Sequence, residues 1–466
     1  MAKYQAYAEY KDSGVEWLGD IPKEWIPIRL KHLLLESLVY GANEAAEDDN
    51  PKNPRYIRIT DMNSDGTLDP NTFRSLPLHL AENYLLKDGD ILLARSGATV
   101  GKSFYYRSEF GISCFAGYLI RARVHKSKLA SRFAYWFFQS DSYWKYVSGS
   151  QIKATIQNVS AEKYGDLYLS LPLTINEQTQ IANFLDHETT KIDHLIEKQQ
   201  QLIELLKEKR QAVISHAVTK GLDPNVQMKD SGVEWLGEVP EHWTKSKLVS
   251  VADGTKGCFV NGPFGSDLLA NELRDEGVPV VYIRDIKPTG YKRKSTVHVT
   301  EQKARQLEIC NVKVDDVIIS KVGDPPGDAC LYPKGEPDAI VTQDVIRIRV
   351  DRSRFNPKFI VYLLNSDFGR LVMDNISVEG TRKRVSLGDF KDTRFVFPPL
   401  KEQELIVENL NSACKSIDLI IARAIHGIGL IQERRTALIS AAVTGKIDVR
   451  NWQAPTVAEA QTELSA

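Results

Sequence analysis

Cysteine is scarce in this chain. There are five, Cys114, Cys258, Cys310, Cys330 and Cys414, and no two lie at CxxC spacing. That argues against a disulfide frame or a zinc site and reads as scattered thiols in a reducing compartment. No apolar run approaches membrane length, and the opening MAKYQAYAEY holds no signal-type hydrophobic stretch. Neither a membrane span nor secretion is expected, so the expected location is cytoplasmic. An excess of either charge is missing too, with 60 Lys+Arg against 61 Asp+Glu. The distribution is less even: 18 against 15 in residues 26–170, 25 against 21 in 244–397, and 17 against 25 elsewhere. The slight positive excess therefore sits in two blocks, though a mixed solvated surface fits almost as well.

What the chain does have is repetition. Residues 171–223 read LPLTINEQTQIANFLDHETTKIDHLIEKQQQLIELLKEKRQAVISHAVTKGLD, and residues 397–448 read FPPLKEQELIVENLNSACKSIDLIIARAIHGIGLIQERRTALISAAVTGKID. From Glu177-Gln178 and Glu402-Gln403 onward the offset is 225, so Ile192-Asp193 falls on Ile417-Asp418. A shorter motif precedes each half, KDSGVEWLGDIPKEW at 11–25 and KDSGVEWLGEVPEHW at 229–243. The order of short motif, variable block and long helix thus occurs twice. In the first motif Val15, Trp17, Leu18, Ile21 and Trp25 are apolar anchors beside a turn at Asp12-Ser13-Gly14. Nothing there titrates usefully or binds metal, so it reads as a segment that packs onto something larger.

The expected division is a repeat motif at 1–25, a first block at 26–172, and a central helix with the second motif at 173–243. A second block at 244–398, a distal helix at 399–450 and a disordered tail at 451–466 follow. In the first block, residues 55–62, 89–97, 114–124 and 166–172 read as strands. Residues 131–146 read as one amphipathic helix, whose Phe133, Trp136, Phe137 and Tyr143 form either a core face or a base-stacking platform, the core being favoured. The second block repeats this plan: VYIRDI at 281–286 echoes the first strand, and Gly323 and Gly327 fall on Gly97 and Gly101 at an offset of 226. Two binding heads with different targets would look like this, and so would two drifted copies of a structural domain.

In the long helices Leu185, Ile192, Leu206 and Val213 lie on one seven-residue series, matched by Leu410, Ile417, Ala424, Ile431 and Leu438. Ile181, Leu195 and Leu202 form a neighbouring series, as do Ile406 and Ile420. This is heptad spacing with interruptions. A segment of about 40 residues spans ~60 Å, and neither helix buries its stripe alone. The expected fold is α+β: two similar mixed α/β domains separated by a pair of long antiparallel coiled-coil helices, with a pseudo-two-fold repeat.

Motifs of catalysis are few. Gly97-Ala98-Thr99-Val100-Gly101-Lys102-Ser103 has three residues between its glycines where a phosphate-binding loop needs four, and the matching GDPPGDA lacks the lysine. Asp324-Pro325-Pro326-Gly327 resembles the Asp-Pro-Pro-aromatic motif of adenine methyltransferases, but a glycine stands where an aromatic must stack on the flipped base. No metal-ligand spacing and no nuclease carboxylate–lysine cluster is evident. The expectation is a chain with no catalytic residues, no metal and no cofactor of its own.

The repeated DSGVEWLGxxPxxW, the Pro399-Leu400-Lys401-Glu402-Gln403 helix start and ERRTALISAAVTGKID at 433–448 together resemble the specificity subunit of type I restriction–modification systems. The resemblance spans nearly the whole chain; the first helix start, Pro172 to Gln178, is one residue longer than Pro398 to Gln403. It implies that each block reads half of a split double-stranded DNA site, that the helices set the spacer, and that two methyltransferase subunits and restriction/translocase subunits are the partners. Adenine N6 methylation would use S-adenosylmethionine on the methyltransferase, and cleavage would use ATP and Mg2+ on the restriction subunit.

Base reading needs Arg, Lys, Asn or Gln on loops, and phosphate positioning needs cations and backbone N–H groups. The candidates are Arg58, Arg95, Lys102, Lys145, Gln151 and Lys153 in the first block. In the second they are Asn261, Phe264 and Ser266 of a Gly-rich loop, Arg284, Lys292, Arg293, Lys294, Lys321, and the basic cluster Arg382, Lys383 and Arg384. Each has a bland alternative as a solvated surface group. Alternatives for the chain are a self-contained methyltransferase or nuclease, a coiled-coil scaffold whose heads bind protein or RNA, or a specificity subunit that has lost its restriction partner.

Overall fold

The computed structural model describes residues 4–63, 65–150, 158–263, 265, 267–378, 380 and 382–454. The chain forms two compact units, Met1–Gln200 with Ile425–Ala466, and Gln201–Ala424. Each holds one α/β block, one copy of the short motif, and half of each of the two long helices, Ile175–Lys220 and Leu400–Val443.

The centre of the first block is a four-stranded antiparallel sheet in the order Val39–Tyr40, Leu119–Ala122, Ile91–Ala94, Ser103–Tyr105. The second block has the same order in Phe259–Asn261, Val345–Ile348, Val317–Ser320, Ala329–Leu331. Apart from Ser320, the two central strands of each sheet are apolar except for one arginine per sheet, Arg121 and Arg347, 6% and 1% exposed. Burial lowers the pKa of both. Carboxylates brace this layer in both copies: Arg123 bonds Asp90 at 2.7 Å and Arg349 bonds Asp316 at 3.0 Å. Parallel pairs flank the sheets, Arg55–Ile57 with Ser113–Phe115 and Val278–Val281 with Ala339–Val341.

Some expected elements differ. Strand 55–62 is Arg55–Ile57 followed by a 3-10 turn, and 114–124 is two strands, Ser113–Phe115 and Leu119–Ala122. In the second block, 281–286 is likewise the end of Val278–Val281, a 3-10 turn and a short strand. The single helix expected at 131–146 is two, Ser131–Phe137 and Asp141–Ser150. Ser140 breaks it: its hydroxyl bonds the Phe137 carbonyl and accepts the Tyr143 N–H, which caps a new helix. Phe133, Trp136, Phe137 and Tyr143 are all buried, so they are core and not a stacking platform.

The Glu-Gln pair at each helix start joins three parts. Gln178, 1% exposed, accepts the Ala130 N–H and donates to the carbonyls of Lys128 and Pro172. Gln403, 0% exposed, accepts the Asn356 N–H and donates to Arg354 and Pro398. The adjoining Glu177 and Glu402 each accept an indole N–H from the short motif, Trp25 and Trp243, at 3.1 Å. The extra residue of the first copy lies between Pro172 and Glu177, where Thr174 accepts the Glu177 N–H and caps the helix. The far end of the second helix stops at Gly445, in the left-handed region at φ +72°, with the Lys446 N–H returning to Ala441. A side chain at Gly445 would collide with Pro22 of the short motif.

Within each unit the helical halves run antiparallel. In the first unit Asp193 pairs with Arg435 at 2.8 Å, and in the second Arg210 pairs with Asp418 at 3.0 Å. These are the same two positions of the repeat in exchanged roles. Partly exposed ion pairs contribute about 0–1 kcal/mol, whereas a buried leucine contributes roughly 1.5–3 kcal/mol. The seam of Leu185, Leu410, Ile417 and Leu438 therefore holds the helices, and the ion pairs fix its register. The neighbouring series packs only where a block covers it: Ile181 and Ile406 are buried in the two cores, whereas Leu195, Leu202 and Ile420 are exposed, because two helices alone cover only one seam.

Gln403→Ala should destabilise the second unit by roughly 2–4 kcal/mol, since it strands a buried N–H and two carbonyls. His242→Ala, which removes only a partly exposed partner of Glu402, should cost less than about 1 kcal/mol. Hydrogen exchange under mild denaturant, read at Arg354–Pro357, checks the contrast.

Candidate nucleic-acid interface

Immediately after the central strand of each sheet comes a cation, Arg95 after Ile91–Ala94 and Lys321 after Val317–Ser320. Both are fixed by the same two backbone bonds. The Arg95 N–H donates to the Tyr118 carbonyl and the Arg95 carbonyl accepts the Val159 N–H, at 3.0 and 2.9 Å. Lys321 does the same with Asp344 and Val385, at 2.8 and 3.0 Å. All three residues correspond at an offset of 226. The corner is one scaffold used twice.

Its side chains differ. In the second block it opens into a cleft of about 610 Å³, lined by Lys321, Asp344, Arg382, Arg384, Ile283 and Val378 among others. Arg384 reaches Asp344 at 3.2 Å. Partial burial, with Arg384 close by, lowers the pKa of Lys321, while Asp344 pulls it up. In the first block Arg95 lies over the Tyr40 ring at 4.6 Å, and neither its Nε nor the Asn158 Oδ1 has a hydrogen-bond partner among the described residues. Tyr118, where the second block has Asp344, is 65% exposed.

Of the residues singled out by type, Lys321, Arg382 and Arg384 come together in the cleft, and Arg284 adjoins its Ile283. Lys383 is turned to Asp374. Arg284 bonds Ser295 and covers Tyr282. Arg293 reaches Glu336 and His298, while Lys292 and Lys294 are exposed. Asn261 donates to the Gly262 carbonyl. In the first block Arg58 is committed to Asp61 and the Thr72 carbonyl, and Lys102 to the Met62 carbonyl at 2.6 Å. Lys145 is exposed on the helix Asp141–Ser150. Gln151, Lys153, Phe264 and Ser266 lie outside the described residues. Tyr40, Tyr118, Asn158 and Asp344 were missed; the 226 offset, taken from Arg384, could have found Asn158.

Residues 97–102 lie in the link between the antiparallel strands Ile91–Ala94 and Ser103–Tyr105, a hairpin and not the strand-to-helix turn of a phosphate loop. Among the described residues no group of His, Cys, Asp and Glu is placed to hold a metal, and no helix is long and apolar enough to cross a membrane. The five cysteines are free.

A duplicated α/β head, each copy fastened to the start of one long helix and the end of another, defines a class of internally repeated proteins. The family model of the type I restriction modification DNA specificity domain matches residues 23–205 and again 241–425, and the chain belongs to this family. It is 23% identical over 452 residues to the type I restriction enzyme StySPI specificity subunit of Salmonella potsdam, covering 94% of this chain and 92% of the relative. With the EcoKI specificity subunit of Escherichia coli K12 it shares 22% over 453 residues, covering 94% and 92%. The fold is that of a chain solved in work on complex assembly and conformational transition of the type I R-M system, with a TM-score of 0.66 at 15% identity over 92% of this chain and 99% of that one. The HsdS subunit from Thermoanaerobacter tengcongensis matches with a TM-score of 0.54 at 14% identity, over 92% and 98%.

Arg384→Ala should raise the Lys321 pKa, because a neighbouring cation disfavours the ammonium, and Asp344→Asn should lower it further. Competitive acylation of the lysine against pH, read by mass spectrometry, checks both signs; an unmoved titration in both variants would mean that burial alone sets it.

Proposed function

We propose that this specificity subunit reads a split DNA target, residues 26–172 taking one half and 244–398 the other. The observation that carries the reading is the shared corner, where one backbone arrangement presents Arg95, Tyr118 and Asn158 in one block and Lys321, Asp344 and Arg384 in the other. Two heads with one scaffold and different exposed chemistry suit two different half sites. Phosphate contacts from the surrounding cations would position each head, and the corner side chains would meet base edges.

The long helices have 46 and 44 residues, about 69 and 66 Å at the α-helical rise. A ruler of that size suits half sites one or two turns of DNA apart, at ~34–36 Å per turn. The partners are two methyltransferase subunits docked along the helices, joined by restriction/translocase subunits. Exposed apolar side chains recur at matching helix positions, Leu195 with Ile420 and Leu205 with Leu430, 45–61% exposed. Apolar side chains repeated in this way suit two equal partners. Chemistry rests with those partners: adenine N6 methylation with S-adenosylmethionine on one, and ATP- and Mg2+-dependent cleavage on the other. The complex works in the cytoplasm, on the cell's DNA.

Single-molecule sequencing of methylated adenines, in cells carrying this chain and its methyltransferase partner, should give a split asymmetric motif that vanishes when the chain is deleted. A motif that survives deletion would refute the reading. Replacing 26–172 with another family member's block should change one half only; a change in both halves would rule out independent heads. Inserting one helical turn after Gln199 should lengthen the spacer, and an unchanged spacer would remove the helices from that role.

A further inference from the structure

The corner can be taken from block to base. Val322 pairs with Arg384 across two antiparallel strands, and the Lys321 backbone is tied to Asp344 and Val385. Three side chains of complementary type are thereby held on one rim of the cleft, with Asp344 39% and Arg384 52% exposed. A guanidinium held by a carboxylate has its plane fixed and can still present a free N–H edge. Arg and Lys donate to guanine O6 and N7, and a carboxylate accepts from cytosine N4. Donors on one side and a single acceptor on the other are the complement of a G·C pair in the major groove. A thymine methyl has no apolar partner among these three groups, and adenine N6 would set a donor against the guanidinium.

The first block holds the same rim without a carboxylate. Ser96 bridges to Asn158, as Val322 does to Arg384, and the Arg95 guanidinium lies over the Tyr40 ring. Tyr118 offers a hydroxyl and Asn158 an amide, a set that donates and accepts together.

We propose that positions 95/321, 118/344 and 158/384 form the base-reading station of each block, and that Lys321, Asp344 and Arg384 read a G·C pair in the second block's half site. This rests on the DNA-reading role proposed above. The first block's station reads a different pair.

The test uses the full chain with its methyltransferase partner and compares methylated-adenine motifs for wild type, Arg384→Ala and Asp344→Ala. Block replacement assigns each half site to its head. The expected result is one base-pair position in the second block's half, G·C in the wild type, whose preference falls roughly tenfold or more, with the other half intact. An unchanged motif at full methylation would overturn the station, and so would relaxation in both halves. Methylation lost from every variant while the complex still assembles would also overturn it, because a one-position contact predicts relaxed and not abolished marking. A triple substitution Arg95→Lys, Tyr118→Asp and Asn158→Arg guards against misfolding of the second block. It should bring a G·C preference into the first half site, and retention of the original first half would refute the proposal. A wild-type chain with no motif of its own would instead sink the DNA-reading role itself.

Discussion

A buried glutamine amide governs the geometry of each head. Gln178 and Gln403 have no exposure to speak of, and each satisfies one backbone N–H and two carbonyls drawn from two separate loops. An amide is suited to this because it carries donors and acceptors on one rigid plane. Its position in the first turn of the helix means that the direction of the helix axis and the position of the block are fixed by one side chain. The glutamate beside it extends the same junction to an indole of the short motif. Farther along, Trp136 bonds Asp186 and Tyr362 bonds Asn411, so each helix is gripped a second time by its own block. The opposite helix is fastened by a serine, Ser440 to the Asp141 N–H and Ser215 to the Asp367 N–H. Polar contacts of this kind add little net stability each, about 0.5–1.5 kcal/mol, but leave few other ways for the parts to meet.

This economy explains which residues repeat. The short motif, the Glu-Gln start and the helix ends recur because they touch one another. The corner of each block also recurs, though only as backbone: its hydrogen bonds are the same in both halves while its side chains are Arg, Tyr and Asn in one and Lys, Asp and Arg in the other. The repeat thus keeps the frame and varies the side chains that it presents.

Much of the frame was legible because it follows period and punctuation. The apolar run Ile91–Ala94 and the heptads of the helices were readable as a strand and a seam. The break at Ser140 was not, since a capping serine inside an aromatic-rich stretch leaves the period almost undisturbed. The second heptad series was legible only in part for another reason: spacing marks an apolar stripe but not how many partners cover it, so Ile181 and Ile406 are buried while Leu195 and Ile420 stay open. At the candidate site, residue type brought forward Lys321, Arg382 and Arg384, which share a cleft, and also Arg58 and Lys102, which are occupied by internal bonds. Asp344 and Tyr118 escaped notice because a search for cations passes over them.

The first unit is assembled from both ends of the chain. Tyr10 bonds the Gly445 carbonyl, and the Asp448 N–H bonds the Gln5 carbonyl. Leu438, Ile439, Ala442, Val443 and Ile447 share a core with Trp25, Phe133 and Ile181. The ribosome therefore finishes the second unit, Gln201–Ala424, before the first has all of its core. Until those late residues emerge, the first block carries an open apolar flank, and its closure must span more than 400 residues. The head whose synthesis begins first is thus the head whose core is completed last.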